Sequence, residues 1–174
     1  LLPSTTLFRS DTNRYAVGFS GDADGITDGV RITNTVLDTR KNATNNSTAD
    51  DGVLAILGRA PETLNAGAGV KITGAATQIL SDTANLRITG LVTTQTNAGN
   101  KDGVIIGEDG ASRSTIATTS GDLVITGDAS AVTSPSGGSR YDGVYISSNA
   151  LILTTLGDIL INGKGGGGEI GRAS

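Results

Sequence analysis

Residues 142–163 read DGVYISSNALILTTLGDILING, and residues 102–127 read DGVIIGEDGASRSTIATTSGDLVITG. Both stretches open on Asp-Gly-Val with a further apolar residue two places on, and both close on an apolar residue, any residue, Ile, then Thr or Asn, then Gly. The opening phrase recurs as Asp28-Gly29-Val30-Arg31-Ile32, Asp51-Gly52-Val53, Asp102-Gly103-Val104-Ile105-Ile106 and Asp142-Gly143-Val144-Tyr145-Ile146. The closing phrase recurs as Val70-Lys71-Ile72-Thr73-Gly74, Leu86-Arg87-Ile88-Thr89-Gly90, Leu123-Val124-Ile125-Thr126-Gly127 and Ile159-Leu160-Ile161-Asn162-Gly163. In each phrase the apolar residues stand two apart, which puts them on one face of an extended strand, with Arg31, Lys71, Arg87 or Tyr145 on the other.

The first apolar residues, Val30, Val53, Val70, Leu86, Val104, Leu123, Val144 and Ile159, follow one another at intervals of 23, 17, 16, 18, 19, 21 and 15. Such self-similarity is the mark of a solenoid, with one phrase expected per winding. Strands stacked in this way pair in parallel about 4.8 Å apart, and the inward residues form continuous Val/Leu and Ile files. The expected fold is all-β: a right-handed parallel β-helix of about 7–9 turns, about 35–40 Å long. A single turn buries only two or three aliphatic side chains, too little to offset its own ordering entropy, so neighbouring turns must stabilise one another. Gly, Asp and Asn at the phrase ends are expected to serve tight corners through positive φ and local side-chain hydrogen bonds. Thr73, Thr89 and Thr126 are expected to stack in one column. Ala55 stands where the opening phrase would place Ile. The polar stretches Thr39–Asp50 and Asp128–Arg140 are expected to be surface loops. Arg59–Ala68, with Pro61 inside it, is expected to be a loop with at most one helical turn.

Composition agrees with this reading and removes several classes of function. The 174 residues include 26 glycines but only two Phe, three Tyr and no Trp, poor material for an ordinary globular core. Without Cys there is no disulfide, and without His there is neither the usual near-neutral acid/base catalyst nor an imidazole metal ligand. A net charge of −4 with scattered Lys and Arg argues against nucleic acid as a partner. No apolar run is long enough for a membrane-spanning helix.

The two ends read differently. ACG ACG CTC TTC CGA TCT encodes Thr5 to Ser10, and its reverse complement after one added G encodes Glu169 to Ser174. Residues 1–10 and 169–174 are therefore expected to be derived from one sequencing adapter and are set aside. The repeat domain is residues 11–168, expected to be an uncapped piece of a longer, metagenomic sequence that associates end to end when isolated.

The pattern Asp-Gly-Val-Tyr-Ile followed by LTTLGDILINGKGGGG resembles the repeats of large bacterial hemagglutinin-like and autotransporter-type adhesin exoproteins, most clearly over Lys101–Gly168. The resemblance implies a right-handed parallel β-helix, secretion to the bacterial cell surface in association with the outer membrane, and a shaft role without catalysis or cofactor. Its partners would be surface glycans or proteins of a host or neighbouring cell.

Three local patterns carry other chemistry. Asp22, Asp24 and Asp28 surround Gly25 and form the candidate Ca²⁺ site of a calcium-stabilised surface matrix module, although Arg31 falls where an EF-hand needs a bidentate Glu. Asp50-Asp51, Asp102 and Asp142 could align along one edge as the acid and base of a carbohydrate-active β-helix enzyme, which would also need a groove. Gly163–Gly168 contains a Gly-x-Gly-x-x-Gly string with no helix after it, so a turn-forming glycine run is the plainer reading. The sequons at Asn42, Asn45 and Asn46 need nothing beyond an Asn/Thr-rich loop.

Overall fold

The computed structural model describes residues 28–40, 53–60, 67–93, 101–107, 113–132 and 140–166, together with the backbone of residues 6–9 and 15–22. Among them are fourteen strands and no helix: β1 (Thr6–Arg9), β2 (Tyr15–Asp22), β3 (Val30–Thr33), β4 (Val36–Asp38), β5 (Val53–Ala60), β6 (Val70–Thr73), β7 (Gln78–Ser81), β8 (Asn85–Val92), β9 (Val104–Ile106), β10 (Ser114–Thr118), β11 (Leu123–Asp128), β12 (Val144–Ile146), β13 (Ala150–Thr154) and β14 (Ile159–Lys164). They form three sheets. Sheet A runs β1-β2-β5-β8-β11-β14, sheet B runs β12-β9-β6-β3, and sheet C runs β13-β10-β7-β4. Every pairing is parallel except that of β1 with β2, which is antiparallel and lies at the edge of sheet A.

The registers are those of a stack. In sheet B, Val30, Val70, Val104 and Val144 lie in one file and Ile32, Ile72, Ile106 and Ile146 in the next. In sheet A the files are Leu54, Leu86, Leu123, Ile159 and Ile56, Ile88, Ile125, Ile161. Sheet C contributes Leu37, Ile79, Ile116 and Ile152. The files of all three sheets meet in one apolar core. Burial alternates along β8 and β11 as the two-residue period requires, with Arg87 exposed between buried Leu86 and Ile88. At about 1.5–3 kcal/mol per buried Leu or Ile, these files dominate the stabilisation.

The repeat differs from the sequence reading in its length. Each strand's partner lies two phrases on, not one: Leu54 pairs with Leu86, 32 residues later, and Leu37 with Ile79, 42 residues later. The two phrases alternate between sheets, with a sheet C strand after each visit to sheet B. Val53 therefore does not join the file of Val30, Val104 and Val144; it pairs with Asn85 in sheet A. Ala55 pairs with Arg87, an outward position, so no Ile is missing there. Val70-Lys71-Ile72-Thr73, grouped with the closing phrase by eye, belongs to sheet B beside Val30-Arg31-Ile32-Thr33. The expected single Thr column is thus two columns, Thr89 beside Thr126 in sheet A and Thr33 beside Thr73 in sheet B.

The glycines also act differently from expectation. Positive φ is confined, among the described residues, to Asn34, Gly74 and Gly107, where the chain leaves sheet B. The glycines that end the sheet A phrase instead permit close approach. A Cβ on Gly90 would lie 1.9 Å from the carbonyl oxygen of Gly103, and one on Gly127 would lie 1.7 Å from that of Gly143. Asp-Gly-Val and Ile-Thr-Gly are therefore two halves of one contact, and each needs its glycine because the other is there.

A second, smaller core joins Ala60, Val92, Ala129 and Val132, with Tyr141 packed against it. It corrects part of the loop expectation: Ala129 and Val132, inside the polar stretch after Asp128, are buried. The rest of that stretch, residues 133–139, lies outside the described residues, as do 41–50 and 61–66.

Candidate functional site

The carboxylates and carboxamides of the repeat are joined from one rung to the next. Asp28 Oδ1 accepts the Ala68 N–H at 2.8 Å, and Asp102 Oδ1 accepts the Asp142 N–H at 2.8 Å. Where sheet C hands over to sheet A, Asn85 Oδ1 accepts the Asp122 N–H at 2.7 Å and Asp122 Oδ1 accepts the Asp158 N–H at 3.0 Å. In each case the acceptor sits on the earlier rung and the donor 36 to 40 residues later. This is not the local turn bond that Asp-Gly was expected to make; it caps a backbone donor that the stack would otherwise leave bare.

Asp102 is the centre of the densest polar group. It is fully buried, and its Oδ2 lies 3.1 Å from Arg140 Nε and 3.0 Å from Arg140 Nη2. Arg140 also approaches Asp142 Oδ2 at 3.6 Å and lies over the Tyr145 ring at 3.4 Å from its centroid. Burial pushes the Asp102 carboxyl above its ordinary value, opposed by the Asp142 N–H and by Arg140. Next to it Lys101 is buried, its N–H donating to the Arg140 carbonyl at 2.9 Å. Desolvation pulls the Lys101 amine below its ordinary value, with Tyr141 opposing. The sequence reading missed Arg140 as the partner of Asp102, together with the Tyr145 ring under Arg140 and the buried Lys101 beside it. The signal was the alignment of Lys101-Asp102-Gly103-Val104 with Tyr141-Asp142-Gly143-Val144.

The chemistry expected along the Asp-Gly edge is changed by this geometry. The aspartates do share a corner, Asp102 directly before Asp142 in the stack. Asp28 and Asp102 point into the body rather than outward, each held by the next rung's backbone and by an arginine, Arg31 for Asp28 at 2.6 Å. A carboxylate so bound connects one rung to the next, whereas Asp142 on the same edge stays half-exposed, with Arg140 Nε 3.6 Å from its Oδ2. Asp50 and Asp51 lie outside the described residues.

Of the calcium candidates, Asp28 is placed as above, Asp22 ends β2, and Asp24 lies outside the described residues. Both Asp28 oxygens already have protein partners. Among the described residues no three Asp, Glu, His or Cys side chains gather in a way that could hold a metal. In the glycine string, Gly163 and Lys164 are the last two residues of β14, while Gly167, Gly168 and the sequons at Asn42, Asn45 and Asn46 lie outside the described residues. Among the described residues no helix is long and apolar enough to cross a membrane.

A scan against protein-family models and searches of the curated proteins and of the solved structures give no match for this chain.

Proposed function

We propose that the three sheets are the faces of a right-handed parallel β-helix and that this chain is a shaft segment of a secreted, outer-membrane-associated bacterial adhesin, non-catalytic and free of cofactor. The observation that carries the reading is the fate of the acidic residues: Asp28, Asp102 and Asp122 bind the backbone of the following rung. Side chains that a lyase or hydrolase would aim into a groove are here rung connectors. In this reading, partners 32 to 42 residues apart make one winding, so the helix has about four windings where the phrase spacing suggested seven to nine, and its five parallel strands of sheet A span about 19 Å. A shaft of this kind extends by repetition, holding binding regions away from the cell and adding many weak contacts with surface glycans or proteins of a host or neighbouring cell.

The test is adhesion against turnover. Beads densely coated with the full chain are expected to adhere to glycan-coated surfaces and to cells, where the soluble chain shows little binding, and the chain is expected to release no reducing ends from a polysaccharide panel. Release of sugar ends that Asp102→Asn or Asp142→Asn abolishes would overturn the reading in favour of a carbohydrate-active enzyme. A melting temperature lowered by a chelator and restored by Ca²⁺ would favour a calcium-stabilised matrix module instead.

A further inference from the structure

We draw no further inference here: the strongest candidate, the outward file of sheet B in which Arg31, Lys71, Ile105 and Tyr145 follow one another, has its Arg31 guanidinium and that of Arg140 over the Tyr145 ring already neutralised by the buried carboxylates of Asp28 and Asp102, and nothing in the structure shows what would cover it.

Discussion

Strands β11 and β14 carry almost the same phrase, Leu-Val-Ile-Thr-Gly and Ile-Leu-Ile-Asn-Gly, in matched register. In β11 the two inward residues, Leu123 and Ile125, are fully buried; in β14 their successors, Ile159 and Ile161, are nearly half exposed. The difference is one neighbouring rung. The phrase itself specifies a strand and a facing, but burial, and with it most of the stabilisation, is supplied by the strands on either side, as in any structure built from nearest-neighbour contacts. The glycines repeat the lesson: a Cβ on Gly127 would collide with backbone at 1.7 Å, whereas one on Gly163 would meet Val144 N at 3.1 Å.

Equivalent substitutions in the two rungs should therefore differ widely. The largest contrast is expected at the glycines. Gly127→Ala forces the sheet A and sheet B backbones apart and should lower stability by about 3 kcal/mol or more, to the point where urea titration finds little folded protein. Gly163→Ala should lose about 1 kcal/mol or less. Equal losses at the two sites would mean that the close approach of Gly127 to Gly143 is not what holds the phrase. Next come the isoleucines. Ile125→Ala leaves a cavity between Ile88 and Ile161 and is expected to destabilise by about 2–5 kcal/mol, while Ile161→Ala, at an already open site, should lose roughly half of that or less. The urea midpoints of the pair report the contrast directly.

Smaller effects test the connectors between rungs. Asn85→Ala removes the acceptor of the Asp122 N–H and should cost about 1 kcal/mol, whereas Asn85→Asp, which retains an acceptor, should recover most of it. If Ala and Asp behave alike at position 85 in thermal melts, the connector contributes nothing. The smallest effect is a slope. With its pKa raised by burial, Asp102 favours the folded state while protonated, so its contribution is complete below the unfolded carboxylate pKa of about 3.9 and diminishes as pH rises through the folded value. Asp38 and Asp128 go the other way. The Arg40 side chain holds Asp38 low and the Ser130 hydroxyl holds Asp128 low, so their contributions are present at neutral pH and lost on acidification. Asp102→Asn removes only the first component. Its stability relative to wild type is expected to improve as pH is raised from about 4 toward neutrality, and a relative stability that falls over that range would contradict the assignment.

Much of this fold was legible because its signals are short and local. All eight phrase-opening residues from Val30 to Ile159 lie in strands, and the two-residue spacing gave the correct face for seven of them; Val53 faces outward, with Leu54 buried beside it. What escaped was the order in which the phrases stack. Val70-Lys71-Ile72-Thr73-Gly74 looks like Leu86-Arg87-Ile88-Thr89-Gly90, but Ala68-Gly69 precedes it where Asp-Gly precedes the other sheet B strands, and Gly69 meets the sheet A backbone near Gly90 as Gly103 does. Likewise Leu54-Ala55-Ile56-Leu57-Gly58 already matched Leu86-Arg87-Ile88-Thr89-Gly90, hidden behind the Asp51-Gly52-Val53 that precedes it. The sheet C strands carry only one shared apolar position, that of Leu37, Ile79, Ile116 and Ile152, so no phrase marked them and the repeat looked half its length. The polar group was less legible still. Asp102 and Asp142 were visible as a pair, but whether a carboxylate faces solvent or the next rung depends on that rung's position, which the local sequence does not record.

The stacking order is open to direct measurement by cysteine pairs in a chain that has none of its own. Thr89 and Thr126 are Cα partners on adjacent strands of sheet A, while Thr73, the corresponding residue one phrase before Thr89, stands in sheet B beside Thr33. With Thr89→Cys and Thr126→Cys together, mild oxidation should join the two within a monomer in high yield. The pair Thr73→Cys and Thr89→Cys should remain reduced under the same conditions. Efficient bridging of the second pair and not the first would mean that each phrase rests on the one before it, contradicting the three-sheet stack.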